Sequence, residues 1–235
     1  AQLAGVSHSQ RGSAGQLVNR CIGEHPIVHG TGKADEQHDT ADQCRVCKVH
    51  ANAAEQLAQS IGATGREMSA LDELGRLLGL ETPPEYIESY DISNTAGSEN
   101  VAGMVVFQNG RPLKSAYRKF KIKTVVGQDD YGSMREVIHR RFEEYRAHEG
   151  EPEGFGRLPD LILLDGGAGH VAAVRPVLEA MGIDVPLFGM VKDDSHRTRA
   201  VTGDGGEISI TSTRQAFTLI STIQDEVHRF AIGYH

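Results

Sequence analysis

The sequence lacks any long apolar run, and no stretch approaches the roughly 20 consecutive apolar residues of a membrane-spanning helix. It also shows no secretory signal. We therefore expect a soluble, cytoplasmic protein without a membrane partner. At 235 residues the chain can form one large domain, or a domain with a smaller extension.

Cysteine is scarce, and an odd number of cysteines argues against a simple disulfide framework. The three are Cys21, Cys44 and Cys47. With His25 they form a Cys-x3-His pair and a Cys-x2-Cys pair, which together hold the ligand types of a structural Zn²⁺ site. A nearby histidine could replace His25, and a loop with free thiols is the alternative. No βαβ pattern surrounds Cys44 and Cys47, which disfavours a redox pair.

A positive net charge is also missing. The net charge of −8 argues against a protein that coats nucleic acid by bulk charge alone. However, basic residues outnumber acidic ones two to one between Arg111 and Arg146. Much of the excess comes from Arg118, Lys119, Lys121 and Lys123. This cluster is either a solvated strand edge or a surface that contacts phosphate.

One stretch organises the remaining chain. From Tyr86 to Ser93, aromatic and β-branched side chains alternate with polar ones, which predicts a strand. Asp91 falls near its end, on the same face as Ile87 and Ser89. A polar turn follows. A carboxylate at a strand end beneath a polar loop is a candidate catalytic or metal-binding group.

The patterns around this strand predict an α/β fold with a mixed five-stranded sheet, made of an antiparallel meander and two parallel strands flanked by helices. We expect an N-terminal extension over residues 1–65, with a Cys/His-containing insertion and a linker helix, and an α/β domain over 66–235. The other predicted elements are a helix from Ser69 to Leu80, strands at 101–107 and 115–123, a helix from Asp129 to His148, strands at 161–164 and 186–191, a helix from Gly169 to Met181, and a last helix opened by a Ser212-x-x-Gln215 capping box.

This order brings acidic residues together. Right-handed crossovers place the fourth strand beside the first, so Asp91 and Asp165 would lie at neighbouring strand ends. Two carboxylates that close favour a divalent cation between them. His228 of the last helix could complete the site as ligand or general base, and Lys192 could steady a phosphate.

Each of these residues also has a structural alternative. Asp165 could simply cap the next helix, and Asp91 could shape an Asx turn. His228 could be a half-buried histidine on a helix edge. A lysine after a strand, such as Lys192, is common. Gly166 and Gly167 fit a close approach by a phosphate backbone, because neither carries a side chain.

Several motifs in this order resemble the C-terminal endonuclease domain of the UvrC family, over about residues 71–235. They are Tyr90-Asp91-Ile92-Ser93-Asn94, Met104-Val105-Val106-Phe107, Asp129-Asp130-Tyr131-x-Ser133-Met134-Arg135-Glu136, Asp165-Gly166-Gly167 and Asp225-Glu226-Val227-His228-Arg229-Phe230-Ala231-Ile232.

The resemblance implies a ribonuclease-H-like fold and a metal site formed by Asp91, Asp165 and His228. It implies a Mg²⁺- or Mn²⁺-dependent DNA endonuclease that makes the 5′ incision beside a lesion in nucleotide excision repair. The partners implied are damaged double-stranded DNA and, in the full-length protein, UvrB. The alternative function is a catalytically weak scaffold that binds nucleic acid or protein, with a zinc-stabilised N-terminal segment.

The chain departs from the family in two respects. Residues 23–47 look like an insertion, so the resemblance does not support the zinc site. The N-terminal nuclease domain, the UvrB-contacting region and the helix-hairpin-helix repeats of the family have no counterpart in the sequence, so we expect a fragment of a longer protein.

Overall fold

The structure is a computed structural model that describes residues 55–56, 62–93, 100–125, 127–151, 154–193, 198–210 and 212–233. Residues 55–235 form a compact unit. The zinc candidates Cys21, His25, Cys44 and Cys47 lie outside the described residues, so the zinc site stays a prediction. The domain division at residues 65 and 66 also stays a prediction.

Apart from helical residues 55–56 and two short 3₁₀ turns, the described residues form four helices and eight strands. In chain order they are α1 (62–78), β1 (Tyr86–Ser93), β2 (Val101–Gln108), β3 (Arg111–Pro112), β4 (Arg118–Lys121), α2 (Asp130–Ala147), β5 (Leu161–Asp165), α3 (Ala168–Ala180), β6 (Leu187–Lys192), β7 (Thr198–Gly203), β8 (Gly206–Ser209) and α4 (Arg214–Ile232). None of these helices has the length and apolarity needed to cross a membrane.

The strands form one mixed sheet in the order β3-β2-β1-β5-β6-β7-β8, and β4 also pairs with β2. The α/β class and the mixed sheet are therefore confirmed. The sheet has eight strands rather than the predicted five. The return strand predicted at 115–123 is shorter in the structure, where β4 spans Arg118–Lys121, and β3 precedes it, separated by a 3₁₀ turn at Lys114–Ala116. The hairpin of β7 and β8 is short and largely polar, so its apolar alternation is weak.

β1 and β5 are parallel neighbours, as the crossover rule predicts. Tyr90 pairs with Leu164, so the residues that follow them, Asp91 and Asp165, lie side by side where both strands end. Parallel strands end at the same edge of a sheet, and paired residues point to the same face. The sheet register thus sets the spacing of the two carboxylates.

Helices cover both faces of this sheet. One core packs α2 and α3 against a face that includes Tyr86, Tyr90 and Leu164. The other packs α1 and α4 against a face that includes Ile87 and Leu163. Because strand side chains alternate, Asp91 and Asp165 share the second face with α4.

The N-terminal end of α4 is capped from outside the helix. Thr213 precedes α4 without a side-chain cap, so the predicted Ser212-x-x-Gln215 capping box is wrong. Instead Glu73 of α1 accepts a hydrogen bond of 2.6 Å from the backbone N–H of Ala216. A capping partner that is distant in sequence, such as Glu73, leaves no pattern near the start of the helix. The predicted start of α1 at Ser69 is also wrong, because α1 already includes residue 62.

The C-terminal end of α4 lies very close to the sheet. A Cβ atom at Gly103 of β2 would sit 3.0 Å from the Cα of Ala231. Gly103 pairs with Asp91 across β1 and β2. Ala231 lies three residues after His228, which is about one helical turn. Because Gly103 has no side chain, α4 packs close enough to the sheet for His228 to contact Asp91.

The opposite face contains a buried ion pair that sequence analysis missed. Arg141 Nη2 lies 2.7 Å from Glu88 Oε1, and both side chains are almost completely buried. The Tyr90 hydroxyl donates to the other oxygen of Glu88. Arg141 also donates to the backbone carbonyls of Phe155 and Arg157. This pair anchors the loop before β5 against α2.

Candidate metal centre

The three predicted ligands come together at the carboxyl ends of β1 and β5. The ligand atoms of Asp91, Asp165 and His228 all lie within 4.8 Å of one another. His228 Nδ1 is 2.9 Å from Asp91 Oδ2 and 3.8 Å from Asp165 Oδ2. The carboxylates are largely buried, whereas the imidazole is 52% exposed. The group is therefore open to solvent on the histidine side.

Asp165 is held by two side chains from different elements. Gln224 Nε2 donates to Asp165 Oδ1 over 2.7 Å. Lys192 Nζ, at the end of β6, donates to Asp165 Oδ2 over 2.8 Å. The helix that follows Asp165 has Gly167 at its N-cap, with no side-chain cap. The alternative that Asp165 merely caps α3 is therefore wrong.

Gln224 is a site residue that sequence analysis did not single out as functional. It lies four residues before His228 on α4, so both side chains leave the same face of the helix. That spacing is visible in the sequence. However, buried amides are usual in helices that pack on a core, and only the fold shows that this one meets a carboxylate.

The electrostatics of Asp91 reflect its surroundings. Burial, followed by the negative charge of Asp165, raises the pKa of Asp91 to about 6. The hydrogen bond and positive charge of His228 oppose this rise. A bound cation would relieve both unfavourable contributions, because it favours the ionised carboxylate.

Gly166 and Gly167, which follow β5, have different surroundings. At Gly166 a Cβ atom would overlap the ring of His170, so this glycine accommodates a protein side chain rather than a phosphate. At Gly167 a Cβ atom would meet nothing within 4 Å, so a close approach from outside remains open there. The His170 ring lies against Tyr131, with centroids 4.8 Å apart.

The donor set fits a hard divalent cation. Two carboxylate oxygens and one imidazole nitrogen, with room for water on the exposed side, suit Mg²⁺ or Mn²⁺. The pair of like charges at the ends of adjacent strands would otherwise be costly to hold. The residues present are therefore compatible with the metal that the resemblance implies.

Comparisons with known proteins identify the family of the chain. The family model described as "UvrC RNAse H endonuclease domain" matches residues 75–232, which confirms the resemblance and the ribonuclease-H-like fold. UvrABC system protein C of Caldanaerobacter subterraneus subsp. tengcongensis is 51% identical over 198 residues, covering 80% of this chain. The same-named protein of Thermoanaerobacter sp. X514 is 52% identical over 200 residues. The chain spans 32% of the length of each relative.

Among solved structures, the chain is similar to endonuclease V of Ciona intestinalis in complex with DNA. The TM-score is 0.36 and the sequence identity is 17%. The similarity covers 59% of this chain and 58% of that one.

Proposed function

Because the chain belongs to the UvrC RNase H endonuclease domain family, we propose that it is a divalent-metal-dependent endodeoxyribonuclease that hydrolyses phosphodiester bonds. The observation that carries the proposal is the convergence of Asp91, Asp165 and His228 within 4.8 Å at one edge of the sheet. Carboxylates from adjacent strands with an imidazole from a packed helix form a ligand set of the kind that phosphoryl chemistry uses.

Each residue has a role in this proposal. Asp91 and Asp165 would hold the cation through carboxylate oxygens that lie within 4.8 Å of one another. A bound Mg²⁺ or Mn²⁺ would supply activation of water and stabilisation of charge on the phosphate oxygens. Nδ1 of His228 is already hydrogen bonded to Asp91. The other ring nitrogen, Nε2, would therefore exchange a proton with water on the half-exposed side of the ring. Lys192 is placed to stabilise negative charge next to Asp165.

The surface beside the site suits a DNA backbone. In the sheet register, Lys119 of β4 aligns with Gly103, and Gly103 aligns with Asp91. Lys119 therefore lies on the same face as Asp91, two strands away, about 10 Å along the sheet. Lys121, two residues further, shares that face. Local positive charge of this kind can contact phosphates although the chain as a whole is acidic.

The family gives the finer assignment. We propose that the chain makes the 5′ incision beside a lesion in nucleotide excision repair, in the cytoplasm. Its partners would be damaged double-stranded DNA and UvrB, the latter within the full-length protein. These assignments rest on the relatives named UvrABC system protein C.

Nicking of damaged plasmid by the full-length parent tests the proposal. Asp165→Asn should abolish the 5′ incision in Mg²⁺ or Mn²⁺ and weaken Mn²⁺ binding in calorimetry. Asp184→Asn, an exposed aspartate in the loop before β6, makes the same chemical change away from the site and should leave both unchanged. Retention of 5′ incision by Asp165→Asn would refute the proposal.

His228→Gln separates two roles for the imidazole. If His228 is a metal ligand, the variant should bind Mn²⁺ more weakly. If it relays a proton, Mn²⁺ affinity should persist while the rate at saturating metal falls and loses its dependence on pH. Unchanged affinity together with an unchanged rate would remove His228 from the site.

A further inference from the structure

The side chain of Gln224 reaches the metal centre from α4, one turn before His228. It is only 2% exposed, and its Nε2 donates both to Asp165 Oδ1, at 2.7 Å, and to the carbonyl of Met190, at 3.3 Å. Its Oε1 accepts from the hydroxyl of Thr198 on β7. Both polar atoms of this buried amide are therefore satisfied.

The partners fix which way the amide points. The Met190 carbonyl can only accept, so it requires the amide nitrogen on its side. The Thr198 hydroxyl donates to the amide oxygen at the other end. An amide flipped by 180° would present its oxygen to both the Met190 carbonyl and the Asp165 carboxylate, which would be repulsive. The nitrogen is thus held toward Asp165.

This contact also orients the carboxylate of Asp165. With Oδ1 bound to Gln224, the oxygen that faces the site is Oδ2, which lies 2.8 Å from Lys192 Nζ and 3.8 Å from His228 Nδ1. On the same helix, His228 contacts Asp91. One face of α4 therefore holds both carboxylates, one through Gln224 and the other through His228.

We propose that Gln224, locked by Thr198, is a positioning residue that presents Oδ2 of Asp165 to a divalent cation. The proposal rests on the proposed function, because it concerns the same metal. Neither residue is among the three proposed metal ligands. Their effect passes through Asp165, as it does for hydrogen-bond partners of metal ligands in general, whose loss typically costs about 10- to 100-fold in metal affinity.

Gln224→Met is the sharpest test, since it keeps the length of the side chain and removes the donor. The 235-residue chain is titrated with Mn²⁺ by calorimetry, and its stability is followed by urea unfolding. We expect Mn²⁺ affinity to fall by about 10- to 100-fold. In the full-length parent, nicking should recover as Mn²⁺ is raised, because the cation ligands themselves are intact. Gln215→Met changes an exposed glutamine in the first turn of α4 and should leave the affinity unchanged.

Thr198→Val provides a second route if Gln224→Met fails to fold. It removes only the hydroxyl that orients the amide, so we expect a smaller loss of Mn²⁺ affinity in the same direction. A folded Gln224→Met with unaltered Mn²⁺ affinity would overturn the inference, and so would unaltered affinity in Thr198→Val if Gln224→Met is unfolded.

The two proposals fail in different ways. Loss of Mn²⁺ binding in Asp165→Asn with full binding in Gln224→Met would overturn only the role of Gln224. Absence of Mn²⁺ binding in the unaltered chain would overturn both.

Discussion

Asp91→Asn should stabilise the metal-free protein, although it removes a ligand. The Asp91 carboxyl is buried, and its pKa is raised from 3.8 to about 6, mainly by burial and next by the charge of Asp165. One pKa unit corresponds to about 1.36 kcal/mol, so the ionised carboxylate costs the folded state roughly 3 kcal/mol at pH 7. Asparagine carries no charge and avoids this cost.

The sign of the pH dependence follows from the raised pKa. Between about pH 4 and 6 the folded protein keeps a proton on Asp91 that the unfolded chain has already lost. The contribution of Asp91 to stability is therefore fully present below the unfolded pKa and is lost as the pH rises through the folded pKa. The gain from Asp91→Asn should be complete at pH 7 and absent near pH 4.

Urea unfolding in EDTA at pH 7 and pH 4 measures this effect. We expect a gain of roughly 3 kcal/mol at pH 7 for Asp91→Asn. Asp184→Asn, the exposed control, should stay within about 0.5 kcal/mol of the unaltered chain. Adding Mn²⁺ at 100 times its dissociation constant should stabilise the unaltered chain by about 2.7 kcal/mol. The free energy of unfolding of Asp91→Asn should not change when Mn²⁺ is added. If Asp91→Asn is no more stable than the unaltered chain at pH 7 in EDTA, the reasoning is wrong.

Three further substitutions test the surroundings of the site. Gly103→Ala should displace α4 at Ala231 and weaken Mn²⁺ binding several-fold, whereas Gly205→Ala, where a Cβ meets nothing within 4 Å, should not. Arg141→Met should cost about 3–5 kcal/mol in urea unfolding, because it leaves a buried charge unpaired. Lys192→Met should raise Mn²⁺ affinity about tenfold, because the ammonium group of Lys192 competes with the cation for Asp165. It should nevertheless lower the nicking rate at saturating Mn²⁺. Weaker Mn²⁺ binding would contradict this expectation.

The parts of the fold that the sequence predicts are those set by local patterns. The alternation from Tyr86 to Ser93 and the apolar run at 161–164 gave two strands, and the crossover rule placed them side by side. Asp129, where the predicted helix begins, caps α2 by accepting a hydrogen bond from the backbone N–H of Gly132. Together these features were enough to bring Asp91 and Asp165 together.

The features that sequence analysis missed depend on contacts between distant residues. Glu73 caps α4 from a position 143 residues away, so no capping pattern near the start of α4 could reveal it. Glu88 is charged and would be expected at the surface, yet it is buried against Arg141, 53 residues further on. A charged residue is predicted to be exposed unless its partner is known, and only the folded structure shows that partner.

The energetics of the site favour a catalytic centre over a scaffold. A binding scaffold gains nothing from holding two carboxylates together at the edge of its core, where burial and the charge of Asp165 both disfavour ionisation of Asp91. Asparagine in place of Asp91 could still accept a hydrogen bond and would avoid the cost. The arrangement becomes favourable when a cation binds between the two groups. Such unfavourable charge at a solvent-open strand end is typical of functional sites, and this supports the nuclease over the scaffold.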